Sequence, residues 1–339
     1  ALSVLQIKPV PHEIDDALDV HIRAIDACPL YSGRIIRNIN ADVPAPLWLT
    51  QRLERSGIRS INAVVDITNY VLLETGQPMH AFDLATINGA IQVRYASSQE
   101  KLLLLNGMEI ELAEDMLVIA DDQEPLALAG IMGGSKSGVT QGTTDIFLES
   151  AFFAPAVISG KSFRLGFNSD SAYRFERGVD FAATRAALER ATYLIQSICG
   201  GRVGVVTEVK HQLPQRLPIN VRMSRIQRVL GIDISRQQIS DYFGWLGMQC
   251  SVQADTFQVI PPTYRFDLTI EEDMIEEIAR IYGYDQIPAH SPRASLTMLP
   301  ASEKLQSPLN FKNALVMRDY QEVINYAFVN AEWERDFGN

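Results

Sequence analysis

His80 is one of five histidines in a 339-residue chain. It stands in Gly76-Gln-Pro-Met-His80-Ala-Phe-Asp83, just after a Gly–Pro turn that predicts a loop, where positioned functional groups concentrate. Upstream lie Arg59, Asp66, Thr68 and Asn69, set among apolar residues. Buried polar groups must find partners, so such a set is either a hydrogen-bonded core network or a site. Glu149 lies inside Phe147-Leu-Glu-Ser-Ala-Phe-Phe153, where a charge is costly unless it is partnered. Alternating to solvent, it does nothing. Facing a cavity, it accepts a hydrogen bond from a ligand hydroxyl, and a site built that way prefers the hydroxylated ligand over its deoxy analogue by roughly 10⁴-fold.

Other clusters carry weaker chemistry. Gly130-Ile-Met-Gly-Gly-Ser135-Lys136-Ser137 misses the phosphate-loop pattern at Ser135 and leads into further turns rather than a helix. It reads as a glycine turn allowing close backbone approach, with N–H groups that could face a ligand carboxylate or ester. Ser169 and Ser171, within Gly166–Asp180, read as helix-entry capping beside Arg–Glu pairs. No G-x-S-x-G elbow occurs, which argues against a serine nucleophile. After Arg265-Phe-Asp267 come Glu271, Glu272, Asp273, Glu276 and Glu277. Their like-charged i,i+4 pairs cost about 0.2–0.5 kcal/mol each. A solvated face explains them, as does a basic partner surface or a hard divalent cation held by oxygens.

The elements that must position these groups are legible in outline. Leu47, Leu49 and Leu53 predict a helix within Pro44–Gly57, closed by Gly57. From Gly89 to Phe153 the pattern turns to strands. These include a Leu102–Leu112 hairpin through Asn106-Gly107 with an expected type I′ turn, and strands near Met116–Ala120, Leu126–Ala129 and Ile146–Phe153. Asp180 is placed to cap a long helix that stops at Gly200-Gly201. His211–Pro218 reads as a linker. Residues 224–282 then read helix, helix, strand, strand, helix, a winged-helix-like order. Pro288 and Pro292 mark a further boundary, followed by a helix near Phe311–Tyr320 and a strand near Val323–Val329.

Composition narrows the function classes. Hydrophobic residues make up 47% and charged ones 21%, enough for real cores and unlike a disordered chain. No apolar run approaches the ~18 residues of a membrane span. A net charge of −11 argues against general nucleic-acid binding, which depends on cationic neutralisation of phosphates. Cys28, Cys199 and Cys250 are scattered and have no neighbouring histidine. That excludes a zinc pattern or disulfide framework and fits a reducing cytoplasm.

The strings GIRSINAVVDITNYVLLETGQPMHAFD, LESAFF, YRFERGVD and RFDLTIEEDMIEEIARIYGY, in this order and over essentially the whole chain, resemble the beta subunit of bacterial phenylalanyl-tRNA synthetases. The resemblance implies an internal piece of a longer α+β, multidomain protein. Residues 1–24 would be a connector and 25–205 a mixed or antiparallel β-rich editing domain. Residues 213–286 would form a small winged-helix-like module, and 293–339 the start of a degenerate class II synthetase-like core. It also implies hydrolysis of tyrosine wrongly attached to the phenylalanine tRNA. Carried over by position, Glu149 recognises the tyrosine phenol, while His80 and Arg59 hold the ester end and terminal ribose. Ser169 and Ser171 form a wall, Gly133 lies in the glycine turn, and Thr68 and Asn69 contact substrate. Ala172 departs from a position where serine is common and takes no role. Asp267, Asp273, Glu276 and Glu277 match positions tied to magnesium at the interface with the catalytic alpha subunit. ATP and phenylalanine would bind on alpha. The expected partners are alpha, in an alpha2-beta2 assembly, and tRNA(Phe), with neither membrane nor DNA. The alternative is a non-catalytic scaffold docking alpha and tRNA.

Overall fold

A strand buried on both faces must lie between two layers, and Ile146–Phe152 is such a strand, with all seven residues buried. The architecture is built around it. The computed structural model describes residues 6–338 except 290, 292, 293, 299–301 and 303. It divides into two units, residues 1–288 and 289–339.

In the first unit the chain runs through β1 (Val20–Ile22), β2 (Leu30–Arg37), α1 (Leu47–Arg55), α2 (Ala63–Thr75), β3 (Met79–Asp83) and β4 (Ile91–Tyr95). There follow β5 (Lys101–Leu103), β6 (Glu109–Glu111), β7 (Leu117–Ala120), β8 (Pro125–Leu128), β9 (Met132–Gly133) and β10 (Ile146–Phe152). Short helices α3 (Pro155–Ile158), α4 (Lys161–Arg164) and α5 (Asp170–Phe175) precede α6 (Thr184–Cys199) and β11 (Arg202–Lys210). Strands β11-β2-β10-β3 form an antiparallel sheet, and β1-β4-β7-β8-β9 a mixed one in which β1 runs parallel to β4. The even residues of β10, Ile146 and Leu148, pack with α1, α2 and α6. The odd ones, Phe147 and Ala151, join the core shared with the second sheet. Helices, sheet and sheet thus make three layers, the α+β arrangement expected.

Local chemistry sets the boundaries. The Asn62 side chain caps α2 by accepting from Val65 N, and Gly76 ends it at φ 78°. Several expectations are corrected. Residues 6–24 are more than a connector: β1 joins a sheet, and Val10 exchanges hydrogen bonds with Arg34 and Glu189. In the β5–β6 hairpin only Gly107 has positive φ, so the turn is not type I′. Gly107 N donates to Leu104 O and Leu104 N to Met108 O, as a turn followed by a glycine bulge requires. Asp180 caps the turn before α6, accepting from Ala182 N, and α6 itself has no side-chain cap. Gly130–Ser137, by contrast, is as expected: it contains β9 and a turn with no helix after it.

The same unit continues through β12 (Ile219–Arg222), α7 (Met223–Leu230), α8 (Arg236–Trp245), β13 (Gln249–Gln253), β14 (Thr256–Ile260) and α9 (Glu271–Tyr282). Strand β12, not anticipated, completes a β12-β14-β13 sheet, and Ser235 with Gln238 forms a capping box for α8. No helix among the described residues is long and apolar enough to cross a membrane.

The second unit holds α10 (Pro308–Val316), starting behind the Ser307 cap and ending short of Tyr320, and α11 (Ala331–Phe337). Val323–Val329 forms no strand. A strand needs a ladder partner for its N–H and C=O groups, and the described residues of this unit supply none. Pro292 lies outside the described residues.

Candidate functional site

In an antiparallel ladder, directly opposed residues point to the same face. Strand β10 pairs with β3 so that Glu149 faces His80, and with β2 so that Glu149 faces Gly33. Carboxylate and imidazole therefore lie side by side on the face toward the second sheet. His80 is on a strand, not the predicted loop, and its orientation is fixed by sheet register. The two residues line a cavity of about 340 Å³, at the small end of the roughly 300–1,000 Å³ range of ligand sites. Its walls are otherwise mainly apolar, with Ile131, Phe153 and Phe175 among them.

Electrostatics follow from enclosure. Glu149 is buried, and burial pushes its carboxyl up to about 7, although the donated Tyr31 hydroxyl pulls it the other way. Tyr31 Oη donates to Glu149 Oε2 at 2.7 Å, and no described residue donates to Oε1. Burial lowers His80 to about 4, so the ring is neutral at neutral pH. Its Nε2 is enclosed with no hydrogen-bond partner, and the ring packs edge-on to Phe82 at 4.4 Å. A Cβ on Gly133 would lie 2.8 Å from Nε2 and closer still to Cε1, so the glycine is what lets the imidazole seat against the β9 backbone.

Ser169 and Ser171 also line the cavity, but their hydroxyl protons are committed. Ser169 Oγ donates to Ile131 O at 2.7 Å and accepts from Ala172 N, while Ser171 Oγ donates to Gly130 O at 2.9 Å. They staple α5 to the glycine turn as a wall. Asn69 reaches the lining. Two predicted residues do not. Thr68 Oγ1 turns back to Val65 O within α2, the usual fate of a helical threonine. Arg59 is exposed on the loop between α1 and α2, next to the lining residue Ile58, so the imidazole and carboxylate converge but the guanidinium does not. Tyr31 and Asp170 were missed. Tyr31 reads in sequence as one more apolar strand residue and meets Glu149 only across 118 positions.

The acidic residues associated with magnesium do not fit an oxygen cage as they stand in this chain. Arg265 holds both Asp267 and Glu277, Arg280 also pairs with Glu277, and Asp273 accepts the Thr269 and Ile270 N–H groups. The arginines hold Glu277 down to about 2. Glu276 is exposed, and no group of three or more candidate ligands gathers among the described residues.

The B3/4 domain model matches residues 27–200 and the tRNA synthetase B5 domain model residues 219–284. The phenylalanine–tRNA ligase beta subunit of Nitrosospira multiformis is 58% identical, over 98% of this chain and 42% of its own length. That of Chromobacterium violaceum is 52% identical, over 99% and 43%. The chain thus spans about two fifths of the length of these curated relatives. A solved N-terminal fragment of the Pyrococcus horikoshii phenylalanyl-tRNA synthetase beta subunit shares 15% identity over 82% of this chain and 79% of that one, with a TM-score of 0.40. With the B3/4 model spanning half its length and such identity along nearly all of it, the chain belongs to the phenylalanine–tRNA ligase beta-subunit family.

Proposed function

We propose that the cavity between β3, β10 and the second sheet is a hydrolytic editing site, which removes tyrosine misattached to tRNA(Phe) by a ligase whose alpha subunit makes the ester. Tyrosine differs from phenylalanine by one hydroxyl, and an apolar synthetic pocket rejects an added hydroxyl by only about 10²-fold. A second pocket that requires the hydroxyl completes the discrimination. The observation that carries this reading is the unpartnered Oε1 of a buried carboxylate beside a neutral histidine in a small, mostly apolar cavity.

The phenol donates to Glu149 Oε1, which sets the aminoacyl ester toward His80 and the glycine turn. A water oxygen bonds to the ester carbonyl carbon, the carbon–ribose-oxygen bond breaks, and the water's proton ends on the ribose oxygen as free tyrosine departs. Neutral His80 orients that water through Nδ1, since Nε2 is enclosed against the β9 backbone. Both serines are tied to backbone carbonyls, so neither is set up to form a covalent intermediate. The test is deacylation of tyrosyl- and phenylalanyl-tRNA(Phe) by the assembled ligase. His80→Ala is expected to slow tyrosyl release by about 10²-fold or more, and Glu149→Gln to erase the preference for tyrosine. Wild-type rates and preference in both variants would reject the site.

A further inference from the structure

We infer that Tyr31 is the positioning residue that makes Glu149 selective: it holds Oε2 so that Oε1 is presented, as an ionised acceptor, to a ligand hydroxyl. This deepens the editing reading and rests on it.

The geometry starts from the ladder. On the face that bears Glu149, its neighbours along β10 are Phe147 and Ala151, and its lateral neighbours are His80 and Gly33. Gly33 offers no side chain, and a Cβ there would collide with the Phe147 ring. The carboxylate therefore finds its partner diagonally. Tyr31, opposite Ala151, brings a fully buried ring across to donate at 2.7 Å, the one hydrogen bond that Glu149 receives from a described residue. A phenol is a suitable tether because its aromatic body is locked in the core and a single polar atom emerges from it. One oxygen is thereby fixed and the other is left facing the cavity.

Tyr31 also selects the protonation state. An ionised carboxylate only accepts, so a ligand without a donor leaves it unpaired, whereas a protonated acid can satisfy itself elsewhere. Donation by Tyr31 favours the ionised form against the burial that opposes it. The other titratable groups facing Glu149 are His80 from β3, Cys28 just before β2, and Asp170 from α5 on the cavity wall. His80 is neutral at neutral pH and burial pushes the Cys28 thiol up, so neither supplies charge to offset the loss of the phenol.

The experiment compares wild type, Tyr31→Phe, Glu149→Gln and the double variant. Each is a full-length subunit assembled into the ligase and assayed with tyrosyl- and phenylalanyl-tRNA(Phe) from pH 5.5 to 8.5. Tyr31→Phe keeps the ring and removes only the hydroxyl. It is expected to lower the tyrosine-over-phenylalanine ratio at pH 7 by roughly tenfold, the worth of one charge-assisted hydrogen bond. It should also move the midpoint of the ratio's pH dependence up by about one unit, and cause no further loss of ratio in the Glu149→Gln background. An unchanged ratio and midpoint in Tyr31→Phe, with Glu149→Gln selective for neither ester, overturns the role of Tyr31 alone. A Glu149→Gln ligase that still prefers tyrosyl ester overturns the editing reading as well. A purely structural role for Tyr31 predicts losses that add in the double variant and leave the midpoint in place, which also overturns the inference. Should Tyr31→Phe fail to fold, the phenol-carbon resonance of ring-labelled Tyr31 in the wild-type ligase decides. It must follow a titration near pH 7 that Glu149→Gln abolishes, and its absence refutes the tether.

Discussion

Glu149 and His80 pull the pH dependence of stability in opposite senses. Folded Glu149 holds its proton up to about 7 against an ordinary 4.5, so between those values the folded state binds more protons and stability falls as pH rises. Folded His80 sheds its proton down to about 4 against an ordinary 6.5, so across that window the unfolded state binds more and stability rises with pH. From pH 4.5 to 6.5 the two offset each other. Glu149→Gln removes the first contribution, and its stability relative to wild type is expected to rise across that window by up to about 1.4 kcal/mol per pH unit. Urea unfolding at three pH values checks this, and a constant difference from wild type would rule it out. At Gly133, substitution by Ala places a methyl where the imidazole sits, costing about 1–3 kcal/mol by overpacking and shifting the His80 ring resonances. Unmoved resonances would show that the glycine is not the seat. At this scale Glu149 was legible as a charge in an apolar run, but Tyr31 was not, because nothing local distinguishes it from a core tyrosine.

At the scale of elements, a buried ion pair ties the outer layer to the sheet. Arg34 on β2 meets Glu189 on α6 at 2.9 Å, and its remaining donors go to Gly204 O, at the irregular β11 pairing, and to Val10 O. Removing one partner leaves the other charge uncompensated in the interior, so Glu189→Ala is expected to cost about 3–5 kcal/mol of unfolding free energy. A loss under 1 kcal/mol in denaturant titration would refute that. In the winged-helix-like module, Arg222 stands at the start of α7, and Arg225 and Arg228 lie on it. Arg222 pairs with Glu271 and Arg225 with Glu272, so α9 neutralises two of the three. The helix order was readable from periodicity, whereas β12 was hidden, since a four-residue strand has too short a pattern to stand out.

Across the first unit, Phe266 joins its two parts. Its ring stacks on Phe152 at 6.1 Å and meets Phe181 edge-on at 6.3 Å, while a Cβ on Gly178 (φ 102°) would strike it. Phe152 is adjacent to Phe153, which lines the cavity. The YRFERGVD and RFD strings, separate in sequence, are thus two sides of one contact. Phe266→Ala is expected to lose about 2 kcal/mol, roughly half the cost of a fully buried Phe→Ala, and to split thermal unfolding of the two parts. A single transition at the wild-type temperature would exclude this coupling.

Apolar periodicity, caps and glycine stops determined most helices and strands from the sequence itself, because those signals act within a few residues. The resemblance of four strings was enough to name the family and to single out His80 and Glu149. Only the tertiary structure decided that these two share a face, that Arg59 and Thr68 do not join them, and that Tyr31 does. Those outcomes depend on strand register and on contacts between positions over a hundred residues apart, where a shift of one residue turns every side chain to the opposite face.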